Sequence, residues 1–212
     1  MSRVISLNRR RPNLIDLSVR PSSGTGSIRF SVAANFDAAP VPFATIPVYG
    51  YKSKSISGAG AISNISKGQT RFIFDPDDYI ATVPALADAK PFWLSIAEIP
   101  FGGAAGPESA PHLVLPFAST PNRMFTISGN VAGTTTEIQL PQTVSNPLFQ
   151  VSTADLLVGF EPDGTTFKVI QVATYGFDYS ASFPMFSQLF MKSSGAGSKI
   201  EATFRLVNSL AF

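Results

Sequence analysis

The sequence predicts an all-β fold: an antiparallel β-sandwich resembling a jelly roll, or a barrel, with an extended N-terminal arm and at most one or two short helices. Apolar and polar residues alternate in short stretches, most clearly over residues 199–207, KIEATFRLV. Glycine, proline, serine and asparagine separate these stretches at intervals of about 8–15 residues, as in sandwiches and barrels. The chain also lacks the 10–15-residue helical patterns that an α/β fold places between its strands.

Residues 1–26 are predicted to form a basic arm with short strands. Residues 1–29 contain six arginines and one acidic residue, Asp16. Three of these arginines, Arg9, Arg10 and Arg11, are consecutive. Because the rest of the chain carries more acidic than basic residues, a cationic arm precedes a mildly acidic body.

Residues 27–212 are predicted to form the β body, either as one continuous body or as two parts divided near residues 100–121. Residues 27–33 are predicted as a strand with alternate side chains inward, and the proline-rich segment 35–47 as loop or edge. Residues 124–128 and 137–140 are predicted to pair through a glycine- and threonine-rich connection. Further strands are predicted at residues 48–54, 70–74, 92–99, 112–117, 148–151, 156–160, 167–172 and 199–207.

A short helix is predicted after Asp75. This residue can cap a helix, and Pro76 fits the first helical position. Two further acids, Asp77 and Asp78, favour the positive end of the helix dipole. Pro84 ends the helix after about two turns.

The composition indicates a protein that packs against other molecules. Charged residues make up 14% of the chain, against about 25% in an average soluble domain. Hydrophobic residues make up 44%, and there are 18 phenylalanines. Charge is depleted and aromatic residues are enriched at the centres of interfaces. We therefore expect a homo-oligomer or a larger assembly.

The sequence offers no catalytic constellation, cofactor site or metal site, so we expect a protein that is not an enzyme. His112 is the single histidine, and no serine stands in a nucleophile motif beside it. Clustered acids at 75–78 could bind calcium, but helix capping explains them more simply. Glu98 and Glu108 lack any pattern that marks a glycosidase pair. With no cysteine, disulfides and thiolate sites are excluded.

The candidate binding residues are Arg9, Arg10, Arg11 and Arg20. Guanidinium groups in an extended segment can bind carboxylates or phosphates. The arm has no aromatic residue for stacking on bases, which argues against nucleic acid. We expect docking on an acidic protein surface, and adding a strand to a neighbour's sheet is one way to achieve it; a solvated tail is the alternative.

Two long runs resemble virion structural proteins of tailed bacteriophages, in particular capsid decoration or cement proteins. They are residues 91–116, PFWLSIAEIPFGGAAGPESAPHLVLP, and residues 124–164, MFTISGNVAGTTTEIQLPQTVSNPLFQVSTADLLVGFEPDG. The resemblance implies an all-β body, often trimeric, that docks on the major capsid protein without performing chemistry. It also implies a location in the virion after assembly in the host cytoplasm, with no membrane partner.

The alternative is a β-sandwich binding module, such as a tail component that recognises a receptor or a glycan. Such a module would use exposed aromatic side chains, for which Trp93 and Tyr175 are the candidates.

Overall fold

The computed structural model describes residues 3–11, 14–48, 59–64, 69–74, 83, 91–115, 124–159, 168–170, 177–178 and 186–206. These residues form fifteen strands and no helix, which confirms the predicted all-β class. The predicted helix at 75–84 lies outside the described residues, apart from Val83. The chain divides into two compact units, Met1–Ala34 with Ala38–Ala118, and Asn35–Asp37 with Ser119–Phe212.

The first unit contains two antiparallel four-stranded arrays that share one hydrophobic core. The first array has the order β1-β2-β6-β5, and the second has the order β4-β3-β7-β8. The strands are β1 (Arg3–Arg11), β2 (Leu14–Arg20), β3 (Thr25–Ala33), β4 (Val41–Pro47), β5 (Ala59–Asn64), β6 (Gln69–Phe74), β7 (Phe92–Pro100) and β8 (His112–Val114).

Alternation of side chains builds this core from both arrays. On β3, Ile28, Phe30 and Val32 are fully or almost fully buried, as the sequence predicts. They pack in one cluster with residues of β2, β6, β7 and β8. Burial of each such side chain away from water contributes about 1.5–3 kcal/mol to the stability of the fold. The cluster comprises Ile15, Leu17, Val19, Ile28, Phe30, Val32, Ile46, Val48, Phe72, Val83, Phe92, Leu94, Ile96 and Val114.

The connectivity of the first unit has an internal two-fold pattern. Hairpins β1–β2 and β5–β6 belong to one array, and hairpins β3–β4 and β7–β8 belong to the other. The two central pairs, β2 with β6 and β3 with β7, are both antiparallel. Exchanging strands β1–β4 with β5–β8 therefore leaves the order of both arrays unchanged.

The opposite face of β3 and β7 is also buried, which the sequence does not predict. Ser31 is fully buried, and its neighbour across the ladder, Ser95, is 5% exposed. Trp93 lies on the same face as Ser95 and is 4% exposed. The alternation of apolar and polar residues thus assigns side chains to the two faces of these strands correctly. Both faces, however, are shielded from solvent at these positions.

The second unit is built around β10 and β15. Strand β10 pairs with β14 over its first part and with β15 over its second part, and β15 also pairs with β9. Strand β14 continues to β11 and then β12, while β13 pairs with β10. The strands are β9 (Met124–Val131), β10 (Thr136–Ser152), β11 (Leu156–Gly159), β12 (Lys168–Ile170), β13 (Phe177–Asp178), β14 (Phe186–Ser193) and β15 (Ser198–Leu206).

This topology corrects the predicted pairing of residues 124–128 with residues 137–140. Strand β15 is the neighbour of β9, with Ala202 opposite Ile127 and Phe204 opposite Phe125. Turn-forming residues after β9 indicated a local hairpin, but the hydrophobic face of the distant strand provides the better partner. Strand β15 itself has the predicted alternation: Ile200, Ala202 and Phe204 are buried.

Residues 35–37 attach to the outer end of β9. Both the main-chain N–H and the side-chain Nδ2 of Asn130 donate to Asp37 Oδ2, at 3.0 and 3.1 Å. Phe36 is buried beneath Gly129, where an added Cβ would lie 2.6 Å from two atoms of the ring. A glycine is therefore required at position 129 for this close approach.

Candidate partner-binding surface

The predicted binding arginines lie on the β1–β2 hairpin, but at its two opposite ends. Arg9 is in register with Ile15, and Arg11 is in register with Leu14, close to the connection between the strands. Arg20 lies at the other end, in register with Arg3. At about 3.3 Å per residue, Arg20 is roughly 17 Å along β2 from Ile15. The structure therefore groups Arg9 to Arg11 but separates Arg20 from them.

Strand β1 is the outer strand of its array. It pairs with β2 of its own chain, and β2 then pairs with β6. Among the described strands, β1 has no second neighbour. The cationic segment that the sequence predicts to reach toward another subunit is thus the outer strand of a folded sheet, and one side of its main chain is unpaired among the described strands.

The end of the hairpin that lies away from Arg9 to Arg11 also carries arginines. Arg20 is exposed, and Arg3 is the residue opposite it. The acidic residue of this hairpin, Asp16, is in register with Asn8, near the other end. Arginines therefore occupy register positions at both ends of the hairpin, on β1 at one end and on both strands at the other.

The sixth N-terminal arginine, Arg29, belongs to a different environment. Its Nη2 atom donates to Glu108 Oε1 at 2.8 Å, and the Ser31 hydroxyl donates to the same oxygen at 2.8 Å. Both charged side chains are partly buried, at 29% and 21% exposed. Because Arg29 and Glu108 are 79 positions apart, the sequence contains no local signal for this pair.

The same face holds three buried polar atoms without a hydrogen-bond partner among the described residues: Arg29 Nε, Ser95 Oγ and Glu108 Oε2. Ser31 and Ser95 are direct neighbours across β3 and β7. Glu108 follows β7 in a loop that returns along that strand, with the Ser109 N–H donating to Ile96 O at 2.7 Å. Ionic and polar contacts therefore fix this loop on the sheet.

The two glutamates considered as a catalytic pair each hold a segment in place. Glu98 Oε1 accepts a hydrogen bond from the main-chain N–H of Ser22 at 2.8 Å, which ties the β2–β3 connection to β7. Glu108 accepts from Arg29 and Ser31. Each carboxylate thus has a structural role that accounts for its position.

His112 begins β8 and lies opposite Leu94 of β7. Burial lowers the pKa of His112 from 6.5 to about 4. Desolvation has this effect because it penalises the charged imidazolium. The imidazole is therefore neutral at physiological pH.

Within the part of the chain that the structure describes, no group of three histidine, aspartate or glutamate side chains could hold a metal ion. The acids at 75–78 lie outside that part. The described residues contain no helix long and apolar enough to cross a membrane.

Of the two aromatic residues proposed for glycan recognition, only Trp93 lies within the described residues. The prediction that Trp93 is exposed is wrong. Its face of β7 is covered, and only 4% of the residue is accessible to solvent. Tyr175 lies outside the described residues. Phe101 is 69% exposed, but it lies in the turn after β7, with its ring edge near Gly26.

No family model matches the chain, and no curated protein is significantly similar to it.

Proposed function

We propose that the protein is a non-enzymatic structural protein of a virus particle, a decoration or cement protein that docks on the major capsid protein. The structural observation that carries the proposal is the placement of Arg9, Arg10 and Arg11 on the outer strand of a folded array. Such an edge offers charge and main-chain hydrogen-bonding groups on a supported strand, so docking does not require ordering a flexible tail.

The core of the first unit supports the hairpin from below. Ile15, Leu17 and Val19 of β2 are completely buried, and β2 is hydrogen bonded to both β1 and β6. Because β2 is fixed in this way, β1 has a defined register and its arginines occupy defined positions. Guanidinium groups then bind carboxylates on the shell with directional, often bidentate, hydrogen bonds.

Binding of many copies to one shell would strengthen the attachment of each copy, even if a single contact is weak. Each bound copy would have neighbours bound to equivalent sites, so contacts between copies would add to the contact with the shell. The resemblance favours a trimeric oligomer. Charged residues make up only 14% of the chain, which is consistent with surfaces that lie against other subunits.

The alternative of a glycan-binding module receives less support. Carbohydrate recognition would need accessible aromatic faces, and Trp93 is buried. The edge-strand arginines fit an acidic protein surface more directly than a neutral sugar.

The test is binding to capsid shells that have been stripped of this protein. We expect R9Q/R10Q/R11Q to weaken cosedimentation with the shells by at least about tenfold, with a reduced dependence on salt concentration. The control is K192Q/K199Q, which removes two exposed cations from the second unit and is expected to bind like the parent protein.

Substitution is preferable to deletion here. Removing residues 1–13 would also remove β1 and expose the edge of β2, so loss of binding could reflect local unfolding. Unchanged binding of R9Q/R10Q/R11Q would contradict the role of the arginines. The absence of the protein from purified virus particles, checked by immunogold labelling, would contradict the function itself.

A further inference from the structure

We propose that β9 is a self-association edge, at which two copies of the chain pair antiparallel about a two-fold axis through Thr126. The interface involves residues 124–128 of each copy. It does not depend on the proposed capsid function, since it follows from the second unit itself.

Strand β9 lacks the features that usually protect sheet edges. Among the described strands it pairs with β15 and has no neighbour on its other side. Its eight residues, MFTISGNV, include no charged residue and no proline. Edge strands are normally protected by charge, proline, bulges or short length.

Other described edges carry such protection or offer less contact. Strand β1 contains four arginines, β4 contains Pro42 and Pro47, and β12 has three residues including a lysine. Strand β5 has the sequence AGAISN, in which small residues predominate. The β9 edge is therefore the longest described edge with substantial side chains and no protection.

Two contacts show which main-chain groups face outward. The Asn130 N–H donates to Asp37 rather than to β15. The Thr126 and Thr203 hydroxyl groups lie 2.8 Å apart, as expected for a non-hydrogen-bonded pair, in which facing side chains are closest. These two contacts place the N–H and C=O groups of even-numbered residues on the open side of β9. Asp37 covers the position of Asn130 there, whereas Met124, Thr126 and Ser128 are exposed.

The strand is complementary to itself in this register. Thr126 would face Thr126 of the second copy, and Met124 would face Ser128, giving three hydrogen-bonded pairs and about six main-chain hydrogen bonds. On the buried face, Phe125 would meet Ile127 of the second copy. Phe125 is half-buried and packs on Phe204 with ring centroids 5.5 Å apart, so pairing would complete its burial.

The charges on the exposed face also match. Arg205 is opposite Met124 and Glu201 is opposite Ser128 in the ladder between β15 and β9. With the axis at Thr126, the row that contains Arg205 in one copy continues to Glu201 in the second copy. Opposite charges therefore share each outer row about 14 Å apart, so the pairing brings no like charges together but forms no ion pair.

The interface closes with two copies, whereas the phage resemblance implies a trimer. Five residues a side is small for a protein interface, so we expect a weak dimer, with a dissociation constant in the micromolar range or above. Sedimentation of the full chain at increasing concentration should show a monomer–dimer equilibrium. We expect T126K to abolish it, because two lysines would face each other on the axis.

Cysteine crosslinking tests the register, since the chain has no cysteine of its own. The two Thr126 Cα atoms would lie about 5.5 Å apart, within the range of a disulfide. Under mild oxidation we expect T126C to form a covalent dimer. The control is E201C, exposed on the same face but in β15, whose two copies would be at least about 14 Å apart.

A mixture of M124C and S128C should also crosslink more than either variant does separately. Circular dichroism would check that each variant is folded. The proposal is overturned if T126C crosslinks no faster than E201C, or if M124C crosslinks with itself more than with S128C. A trimer unaffected by T126K would likewise overturn it, whereas shell binding by the arginine variants tests the separate proposed function.

Discussion

The ring of Phe72 meets the ring of Phe30 edge-on, with centroids 5.1 Å apart and an angle of 70° between the ring planes. The two side chains come from different arrays of the first unit, β6 and β3, and both are completely buried. This contact joins the two layers at the centre of their shared core.

We expect F72A to lower the free energy of unfolding by about 3–5 kcal/mol, because it removes a buried ring and leaves a cavity between the arrays. Urea or guanidinium unfolding, followed by tryptophan fluorescence, measures the change, since Trp93 is on β7 of the same unit. The control V41A truncates a side chain that is 52% exposed and should change stability by less than about 0.5 kcal/mol. Equal effects of both substitutions would contradict the assigned core.

We expect G129A to destabilise the second unit by about 1–3 kcal/mol, because the new Cβ would overlap the Phe36 ring and approach Asp37 Oδ1 at 2.9 Å. The control is G197A, whose Cβ would lie 3.8 Å from Val131 O, an ordinary contact. Thermal or denaturant unfolding measures both variants. In an F36A background the cost of G129A should decrease; an unchanged cost would show that the ring is not the obstacle.

We expect the neutral imidazole of His112 to reduce stability in mild acid. Its pKa in the folded protein is about 4, below the ordinary value of 6.5, so the unfolded chain binds the proton more readily. The penalty begins as the pH falls below about 6.5, and it levels off below about 4 at no more than about 3 kcal/mol.

The measurement is the difference in unfolding free energy between the parent protein and H112Q from pH 7.5 to pH 4.5. Carboxylate titration affects both proteins and cancels in this difference. We expect the parent to lose stability relative to H112Q as the pH falls. A difference that stays constant with pH would contradict the lowered pKa of His112.

The sequence predicts the strands well because alternation is a local property. Ile28, Phe30 and Val32 lie on the buried face of β3, and Ile200, Ala202 and Phe204 lie on the buried face of β15, as their spacing indicates. The proline-rich segment also forms an edge strand, β4, as expected from the missing N–H groups of Pro42 and Pro47.

Features that depend on distant parts of the chain could not be predicted in this way. The β9–β10 pairing was wrong because β15, about 70 residues later in the chain, lies between them. Similarly, alternation shows that Trp93 and Phe92 are on opposite faces of β7, but not that both faces are covered. Nor does the sequence show that Arg20 is separated from Arg9, because this follows from the register of the hairpin.

The exchangeable halves of the first unit have a consequence for its ancestry. A polypeptide with only the β1–β4 connectivity would carry one hairpin for each layer, and two such polypeptides would supply all eight strands. Tandem duplication of a gene for a self-pairing, four-stranded ancestor, followed by fusion, produces this arrangement. The two halves differ most in the connection to their third strand, which has 17 residues before β7 and four before β3.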